Sequence, residues 1–344
     1  MLYKYIYKYI QISSEVLNIR ILKIEKKIVI DSIHFFNINM LLFFMSTILS
    51  VVILQSLLFT SVVYYMFPTI ITSQILPHDF ATAEIATFVI DPQSDFHPGG
   101  TLAVVGADDD AIRARSFIEI SSPFVKEMFV SLDTHSMNHI AHDPTLLKHS
   151  DGSTVNPFSQ VTLDDLDDGK ISVRPDMKDH FQSYLSNLAK GGKYQYTYWP
   201  PHCIEGTVGH SIEQNILAGL EYWSKCSDKK VHYIRKGRND MTEMYSALKA
   251  EVPQDDDPST QLNMGLIDSL NRFDYVLIFG QAKSHCVKST IEDYLDYISP
   301  KTKIILLNDL TSSVTGFDHL GDNLEKLLLS KGHYVMSSTD LVFN

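Results

Sequence analysis

Short apolar runs alternate with amphipathic stretches from about residue 80 to the end of the chain. The apolar runs have strand length and predict strands at 87–91, 128–133, 230–236, 275–280, 303–308 and 334–337. Helical spacing of apolar residues predicts helices at 109–120, 176–189, 211–225, 241–250, 284–298 and 320–329. Strands that alternate with helices are typical of a parallel sheet covered on both faces. We therefore predict an α/β fold in three α/β/α layers, with a mostly parallel, doubly wound sheet of about six strands.

Four residues that can take part in catalysis lie at the carboxyl ends of predicted strands. They are Asp91, Asp133, Lys236 and Cys286. Taken alone, each residue also has a purely structural interpretation: an aspartate in a turn, a solvated lysine or a small buried cysteine. Ligands bind beyond the carboxyl ends of the strands in such folds, so four reactive side chains on four strands predict one shared site.

Cys286 follows the strand 275–280, at the beginning of a predicted helix that the Ser284 hydroxyl can cap. Free N–H groups at a helix N-terminus stabilise a thiolate, which is the reactive form of cysteine. Asp91 can serve as the general base for this thiol. Lys236 can lower the pKa of the thiol or stabilise developing negative charge.

A candidate metal site follows the strand 128–133. Asp133 and His135 stand at alternate positions, His139 and His142 come soon after, and His202 lies in the segment WPPHC. One aspartate with two or three histidines suits a divalent transition metal that keeps open coordination positions. The alternative is a chance cluster, since the chain contains 14 histidines.

Composition narrows the choice of partners. The chain has 344 residues and a formal charge of -12, which argues against nucleic acid as a partner. Its three cysteines do not form a disulfide framework. The stretch 143–198 is long and carries an acidic patch, and we interpret it as an insertion with one helix over the site.

The N-terminal part differs from the rest of the chain. Residues 1–38 form a basic leader, with six Lys/Arg against three Asp/Glu, and 40–67 contains no charged residue. That uncharged stretch is long enough to cross a bilayer. We predict a transmembrane helix within 39–68, a linker at 69–82 and a folded α/β domain at 83–344, in a single-pass membrane protein whose membrane side stays open. The alternative is a mistaken start site, which would leave a cytoplasmic protein.

Several ordered stretches together resemble a known family. They are DPQSDF at 91–96 with GGTL at 99–102, DTH at 133–135 with NH at 138–139, and the segments 199–210, 235–248 and 280–290. In this order they resemble the isochorismatase-like cysteine hydrolases, and among these most closely the nicotinamidases. The resemblance covers nearly all of 83–337.

The resemblance implies a role for each matching residue. It implies the catalytic residues Asp91, Lys236 and Cys286, and an oxyanion hole made by the backbone N–H groups of Ala282 and Cys286. A cis peptide between Gln281 and Ala282 belongs to the same pattern. The remaining implied positions are the substrate-ring contacts Phe96 and Trp199 and the metal ligands Asp133, His135 and His202, with His139 as a further or water-mediated ligand.

The activity that the resemblance implies is metal-assisted hydrolysis of nicotinamide to nicotinate and ammonia, through a thioester at Cys286. The implied cofactor is one divalent transition metal, zinc first, with Fe²⁺ or Mn²⁺ open. The partner is a small amide, and a homo-oligomer is left open. Segment 283–285 reads Lys-Ser-His where many members have Thr-Asp-Val, and Ile-Ala-His-Asp follows His139, so the substrate is in question.

Three alternatives remain open. One is a related cysteine hydrolase that acts on a different small amide. Another is hydrolysis of an isochorismate-type vinyl ether, but isochorismatases lack the catalytic cysteine, so Cys286 argues against this chemistry. The third is a non-catalytic, membrane-tethered binding module.

Overall fold

A computed structural model describes residues 82–341 and 343 of the chain. Within this part the strands are β1 (Ile85–Ile90), β2 (Val125–Asp133), β3 (Leu147–His149), β4 (Ser159–Val161), β5 (Ile171–Val173), β6 (Tyr196–Tyr198), β7 (His232–Lys236), β8 (Tyr275–Gly280), β9 (Lys303–Leu307) and β10 (Tyr334–Met336). Six of them form one sheet in the order β10-β9-β8-β1-β2-β7, and every pair in it is parallel.

Helices cover both faces of this sheet. They are α1 (Ala107–Ser121), α2 (Leu163–Asp167), α3 (Lys178–Gly191), α4 (Gln214–Ser227), α5 (Met264–Leu270), α6 (Lys288–Leu295) and α7 (Asp318–Ser330). Alternate residues of a strand face opposite sides. Val89 of β1 accordingly packs with Ile118 of α1 and Trp223 of α4, whereas the neighbouring Phe88 and Ile90 belong to the core under α5, α6 and α7. The three-layer α/β/α fold predicted from the sequence is confirmed.

The order of the strands reverses next to β1. Ile85 pairs with Val125 of β2 on one side and with Tyr275 of β8 on the other. The strands β8, β1, β2 and β7 are therefore neighbours, and their carboxyl ends form one rim. Gly280 makes the tight contact at this rim possible, because a Cβ there would lie 2.0 Å from the Ile90 carbonyl oxygen.

One predicted helix is wrong. Residues 241–250 are buried but form turns and bends rather than a helix. The Thr242 carbonyl accepts from His139 Nε2 at 3.1 Å, and the Met244 carbonyl accepts from Lys236 Nζ at 2.8 Å. Because these carbonyls are bonded to side chains of the site, they are not used in helical hydrogen bonds. The apolar spacing of this stretch reflects burial on several sides.

The stretch 143–198 has its own small core. The strands β3 and β5 pair antiparallel, as do β4 and β6, and α2 and α3 lie between them in sequence. Phe181, Leu185 and Tyr196 are buried together in this core. The Tyr196 hydroxyl donates to the Ile140 carbonyl at 2.7 Å, which ties the insertion to the segment that carries the histidines. Its predicted single helix is thus accompanied by a second short helix and two β-ribbons.

The predicted single-pass membrane localisation requires correction. Across residues 82–341 and 343, no helix combines the length and the apolar character needed to cross a bilayer. The stretch 40–67 that suggested the transmembrane helix lies outside the described residues, as do the leader 1–38 and most of the linker 69–82. The membrane assignment is therefore not retained.

Candidate active site

Asp91 lies directly after β1 and is completely buried. Its Oδ1 accepts a hydrogen bond of 2.6 Å from Ser131 Oγ, and its Oδ2 lies 2.9 Å from Lys236 Nζ. Burial raises the pKa of the Asp91 carboxyl, although the Lys236 charge opposes this shift. The sequence analysis did not single out Ser131. The sequence feature that could have identified Ser131 is its hydroxyl in an otherwise apolar strand, two residues before Asp133 and therefore on the same face of the strand.

Lys236 ends β7 and points into the same buried space, with 2% of its surface exposed. Its Nζ lies 2.9 Å from Asp133 Oδ1 and 3.7 Å from Cys286 Sγ. Burial alone would lower the pKa of Lys236, but the carboxylates of Asp133 and Asp91 raise it well above its ordinary value. The lysine is therefore a fixed positive charge beside the thiol.

Cys286 lies in a π-helical turn, Lys283–Val287, that connects β8 to α6. The expected cap is not formed, because the Ser284 hydroxyl accepts from the Val314 N–H at 3.1 Å instead. Burial raises the pKa of the Cys286 thiol well above its ordinary value, and Lys236 only partly offsets this shift. The resting thiol is thus protonated, which differs from the expected helix-stabilised thiolate. Such a thiol needs a base, and the Asp91 carboxyl, whose charge also raises the pKa of the thiol, is the candidate.

Two imidazoles converge on one carboxylate oxygen at the end of β2. Asp133 Oδ2 lies 2.9 Å from His135 Nε2 and 3.4 Å from His202 Nε2. The other ring nitrogens are held by carbonyls, His135 Nδ1 by Gly237 at 2.9 Å and His202 Nδ1 by Pro200 at 2.8 Å. If each Nδ1 donates to its carbonyl, both Nε2 lone pairs are directed at the same point. Two nitrogens and one carboxylate oxygen within 4.8 Å of one another suit a divalent transition metal.

The Asp133 backbone is fixed by a side chain that the sequence analysis did not assign to the site. The Gln93 amide donates to the Asp133 carbonyl at 2.6 Å and accepts from the Asp133 N–H at 2.7 Å. Burial alone would raise the pKa of the Asp133 carboxyl, but His135 and Lys236 lower it well below its ordinary value. The group is therefore anionic and held in place, as a metal ligand must be. The only sequence signal for Gln93 is its place in the DPQSDF motif.

His139 lies behind His135, with 4.0 Å between the ring centroids. Its Nε2 bonds to the Thr242 carbonyl and its Nδ1 accepts from the Ala141 N–H at 3.3 Å, so both ring nitrogens have backbone partners. A direct bond to a metal at Asp133 would require His139 to give up one of these partners. Its role as a further or water-mediated ligand stays a prediction.

A small pocket lies between the thiol and the metal-ligand cluster, which is the group of Asp133, His135 and His202. Phe96 and Trp199 line it, as do the predicted oxyanion-hole residues Ala282 and Cys286. The peptide between Gln281 and Ala282 is cis, as the resemblance implied. Further lining residues that the sequence analysis did not assign are Leu102, Tyr245, His285 and Val314.

Tyr245 holds one wall of the pocket. Its hydroxyl accepts from Trp199 Nε1 at 2.8 Å. Tyr245 lies in the stretch that was predicted to be a helix, so its position could not be read from the sequence pattern. The structure thus brings the predicted site residues together at the sheet rim. Phe96, Asp133, Trp199, His202, Ala282 and Cys286 line the pocket. Behind them, Lys236 and His135 contact Asp133, and Asp91 contacts Lys236.

Comparisons with known proteins bear on the fold and on the family resemblance. No family profile matches the chain. A nicotinamidase of Escherichia coli strain K12 is 24% identical over 214 residues, which is 61% of this chain and 76% of that protein. A nicotinamidase/pyrazinamidase from Acinetobacter baumanii has a TM-score of 0.52 and 21% identity, covering 75% of this chain and 98% of its own. The yeast nicotinamidase bound to the inhibitor nicotinaldehyde also has a TM-score of 0.52, with 20% identity, 74% of this chain and 99% of its own.

The two structural likenesses show that this chain has the fold of these enzymes. The similarity to the bacterial nicotinamidase is independent of them, because it was found in the sequence alone. The resemblance to isochorismatase-like cysteine hydrolases, and to nicotinamidases among them, is confirmed.

Proposed function

We propose that this chain is a cysteine amidohydrolase that converts nicotinamide to nicotinate and ammonia. The observation that carries the proposal is the position of Lys236 Nζ, 2.9 Å from Asp91 and 3.7 Å from the Cys286 thiol in a buried site. A base, a cation and a nucleophile from three parts of the chain meet there, beside a pocket that Phe96, Trp199 and Tyr245 line. The similarity to nicotinamidases supports the same conclusion.

The first half of the reaction forms a thioester. Asp91 takes the proton from Cys286 Sγ while Lys236 stabilises the thiolate, which attacks the amide carbon. The N–H groups of Ala282 and Cys286 then bind the oxygen of the tetrahedral adduct. Asp91 returns the proton to the nitrogen, and ammonia leaves as the adduct collapses to the thioester.

The second half restores the thiol. Asp91, again a carboxylate, takes a proton from a water molecule that attacks the thioester carbon. The same two N–H groups bind the second tetrahedral adduct. Nicotinic acid leaves and gives its carboxyl proton to solvent to become nicotinate, and the sulfur of Cys286 recovers its proton from Asp91.

We further propose that Asp133, His135 and His202 hold one divalent transition metal, with zinc as the first choice and Fe²⁺ or Mn²⁺ as alternatives. The directed Nε2 atoms and the anionic Asp133 fit such an ion. When bound, the metal supplies a Lewis-acid position that orients the pyridine nitrogen of the substrate. Phe96 and Trp199 would flank the substrate ring.

Ammonia release tests this function. The full chain, loaded with zinc, is assayed with nicotinamide, benzamide and a short aliphatic amide. We expect nicotinamide to be hydrolysed well above the other two, because benzamide has no ring nitrogen and the aliphatic amide has no ring. A preference for an amide without a ring nitrogen would contradict the substrate assignment, and hydrolysis of none of them would contradict the amidase itself.

A further inference from the structure

His285 is an imidazole that lies next to the nucleophile, lines the substrate pocket and takes no part in the reaction described above. It is 4% exposed. Aromatic rings enclose it, with centroids at 4.9 Å for Phe317, 5.1 Å for Trp199, 5.3 Å for Tyr194 and 5.3 Å for Tyr245. Tyr194 stacks on it at an interplanar angle of 21°, and this packing fixes the plane of the ring. The imidazole is therefore a polar group in a part of the pocket wall that consists mainly of aromatic rings.

The hydrogen bonds around His285 assign its tautomer. Its Nδ1 lies 2.9 Å from Ser284 Oγ, and the same oxygen accepts from the Val314 N–H. Ser284 is fully buried, and within the described residues its hydroxyl hydrogen has no acceptor other than His285 Nδ1. A buried hydroxyl that donates to Nδ1 satisfies both groups. The ring proton of a neutral imidazole then belongs on Nε2.

The Nε2–H group is a free donor at the pocket. Burial and the nearby Lys288 charge lower the pKa of His285 to about 3, so the ring is neutral under ordinary conditions. Among residues 82–341 and 343, none forms a hydrogen bond with Nε2. A ligand in the pocket that supplies an acceptor can therefore pair with this donor.

His285 and the metal-ligand cluster are separate polar parts of the pocket. His202 belongs to that cluster and its ring contacts Phe96, His135 and His142, whereas the ring contacts of His285 are the four aromatic residues named above. Consider a substrate ring with its carboxamide at Cys286 and one ring nitrogen at the metal-ligand cluster. Such a ring has a further edge that faces neither Cys286 nor the metal-ligand cluster. That edge is the part of the ring left for His285.

We propose that His285 is a specificity-determining residue, which donates its Nε2–H to an acceptor on the substrate ring edge that faces neither the thiol nor the metal-ligand cluster. The substrate class then extends from nicotinamide to aromatic amides that carry a second ring acceptor. This inference rests on the proposed amidase function and refines it. It also gives a role to the Lys-Ser-His segment, in which this chain departs from the Thr-Asp-Val of many relatives.

Two substrates of nearly equal shape test the inference. Nicotinamide has one ring nitrogen meta to the carboxamide, and pyrimidine-5-carboxamide has a nitrogen at both meta positions. The measured quantity is the ratio of kcat/KM for the pyrimidine amide to kcat/KM for nicotinamide, taken on the zinc-loaded full chain. Comparing this ratio between variants cancels the difference in intrinsic reactivity between the two amides.

We expect His285→Phe to lower the ratio by about 3- to 10-fold, the effect of one neutral hydrogen bond. His285→Gln retains an N–H donor, so it should lower the ratio less than His285→Phe does. Phe317→Leu is the control, since it alters packing against His285 without removing a donor, and its ratio should match the wild type. If His285→Phe does not fold, His285→Met removes the donor in the same way.

An unchanged ratio in the donor-free variant, with both amides still hydrolysed, would overturn the role of His285 and leave the amidase function standing. An equal fall of the ratio in Phe317→Leu would assign the effect to packing and would also overturn it. If the wild type hydrolyses neither amide, the proposed function fails, and this inference fails with it.

Discussion

Burial and neighbouring charges together decide which side chains at this site are charged. The Cys286 thiol is raised in pKa and protonated, whereas Lys236 is held positive by two carboxylates. A cysteine in this state is a poor nucleophile until a base removes its proton. The proposed mechanism therefore requires Asp91 as much as it requires the thiol.

Two buried cysteines provide the direct test of the nucleophile. We expect Cys286→Ala to abolish ammonia release without loss of the fold, because no other group can form the thioester. Cys203→Ala is the matched control: Cys203 is also buried and adjacent to His202, but its hydrogen bonds are made by its backbone, whose N–H donates to Asp95 at 2.7 Å and whose carbonyl accepts from the His135 N–H at 3.1 Å. It should retain most of the activity. Equal loss in both variants would mean that the thiol was wrongly assigned.

Glu251 gives a prediction about pH and stability. Burial raises the pKa of its carboxyl to about 7, while Lys193 and a 3.0 Å hydrogen bond from Ser289 oppose this shift. Because the folded pKa exceeds the unfolded one, the proton stabilises the fold fully below about pH 4.5, and this contribution is lost as pH rises through 7.

Glu251→Gln should therefore raise the free energy of unfolding at pH 8 by about 1–3 kcal/mol and have little effect near pH 4.5. The glutamine can still accept from Ser289, so the local hydrogen bond is preserved. Denaturant unfolding at several pH values measures this. A gain of the same size at every pH would contradict the shifted pKa.

At the scale of elements, the turn after β7 shapes the metal-ligand cluster. Gly237 has a φ of 69°, and a Cβ there would lie 2.7 Å from His135 Cε1 and 2.8 Å from Asp133 Oδ1. Its carbonyl also accepts from His135. This one turn therefore supplies both the space and the hydrogen bond that set the direction of His135.

We expect Gly237→Ala to lower metal affinity by at least about tenfold, as loss of outer contacts to metal ligands usually does. Gly152→Ala is the control, because Gly152 also has a positive φ, of 84°, but open space around it. Metal retained against a competing chelator is the measurement. Equal retention by the two variants would place the metal elsewhere.

The elements also show which parts of the structure a sequence pattern can predict. The inner strands β1, β2, β8 and β9 of the central sheet were found because their burial on both faces produces continuous apolar runs, whereas the edge strands β7 and β10 are more exposed. The helix at 241–250 was wrong because the Thr242 and Met244 carbonyls bond to distant side chains, and no local pattern reveals such partners. The Ser284 cap failed for the same reason, since Val314 lies in another loop.

The site residues also divide into those that a sequence pattern can predict and those that it cannot. Asp91, Asp133 and Lys236 were identifiable because strand ends can be read from the sequence. Ser131, Gln93 and Tyr245 were not, because their contribution is a hydrogen bond across the site. Family resemblance supplied the ligand set and the oxyanion hole, which spacing alone did not determine.

At the scale of the whole molecule, the part of the α1 and α4 layer around Trp223 is separate from the rim that carries the candidate active site. Trp223 of α4 is fully buried in this layer and donates from Nε1 to the Val125 carbonyl at 3.2 Å, at the beginning of β2. The reactive side chains lie at the opposite end of that strand. Packing in this layer should therefore affect stability without affecting the chemistry.

Trp223→Ala should destabilise the protein by about 3–5 kcal/mol, the usual cost of removing a large buried ring. Well below its melting temperature, the variant should keep the wild-type KM for its amide substrate. Trp223→Phe, which fills most of the space, should cost less. A change in KM as large as the change in stability would show that the layer and the rim are coupled.

The pairing of β1 has a consequence for how the chain folds during synthesis. Ile85 pairs with Tyr275, so the central strand finds one of its two neighbours only after nearly two hundred further residues have been made. Such long-range pairing slows folding and leaves a strand edge open in the meantime. Until β8 emerges from the ribosome, Asp91 has no cysteine beside it. The stage of synthesis at which the Cys286 thiol first becomes protected from solvent would therefore mark the closure of the sheet.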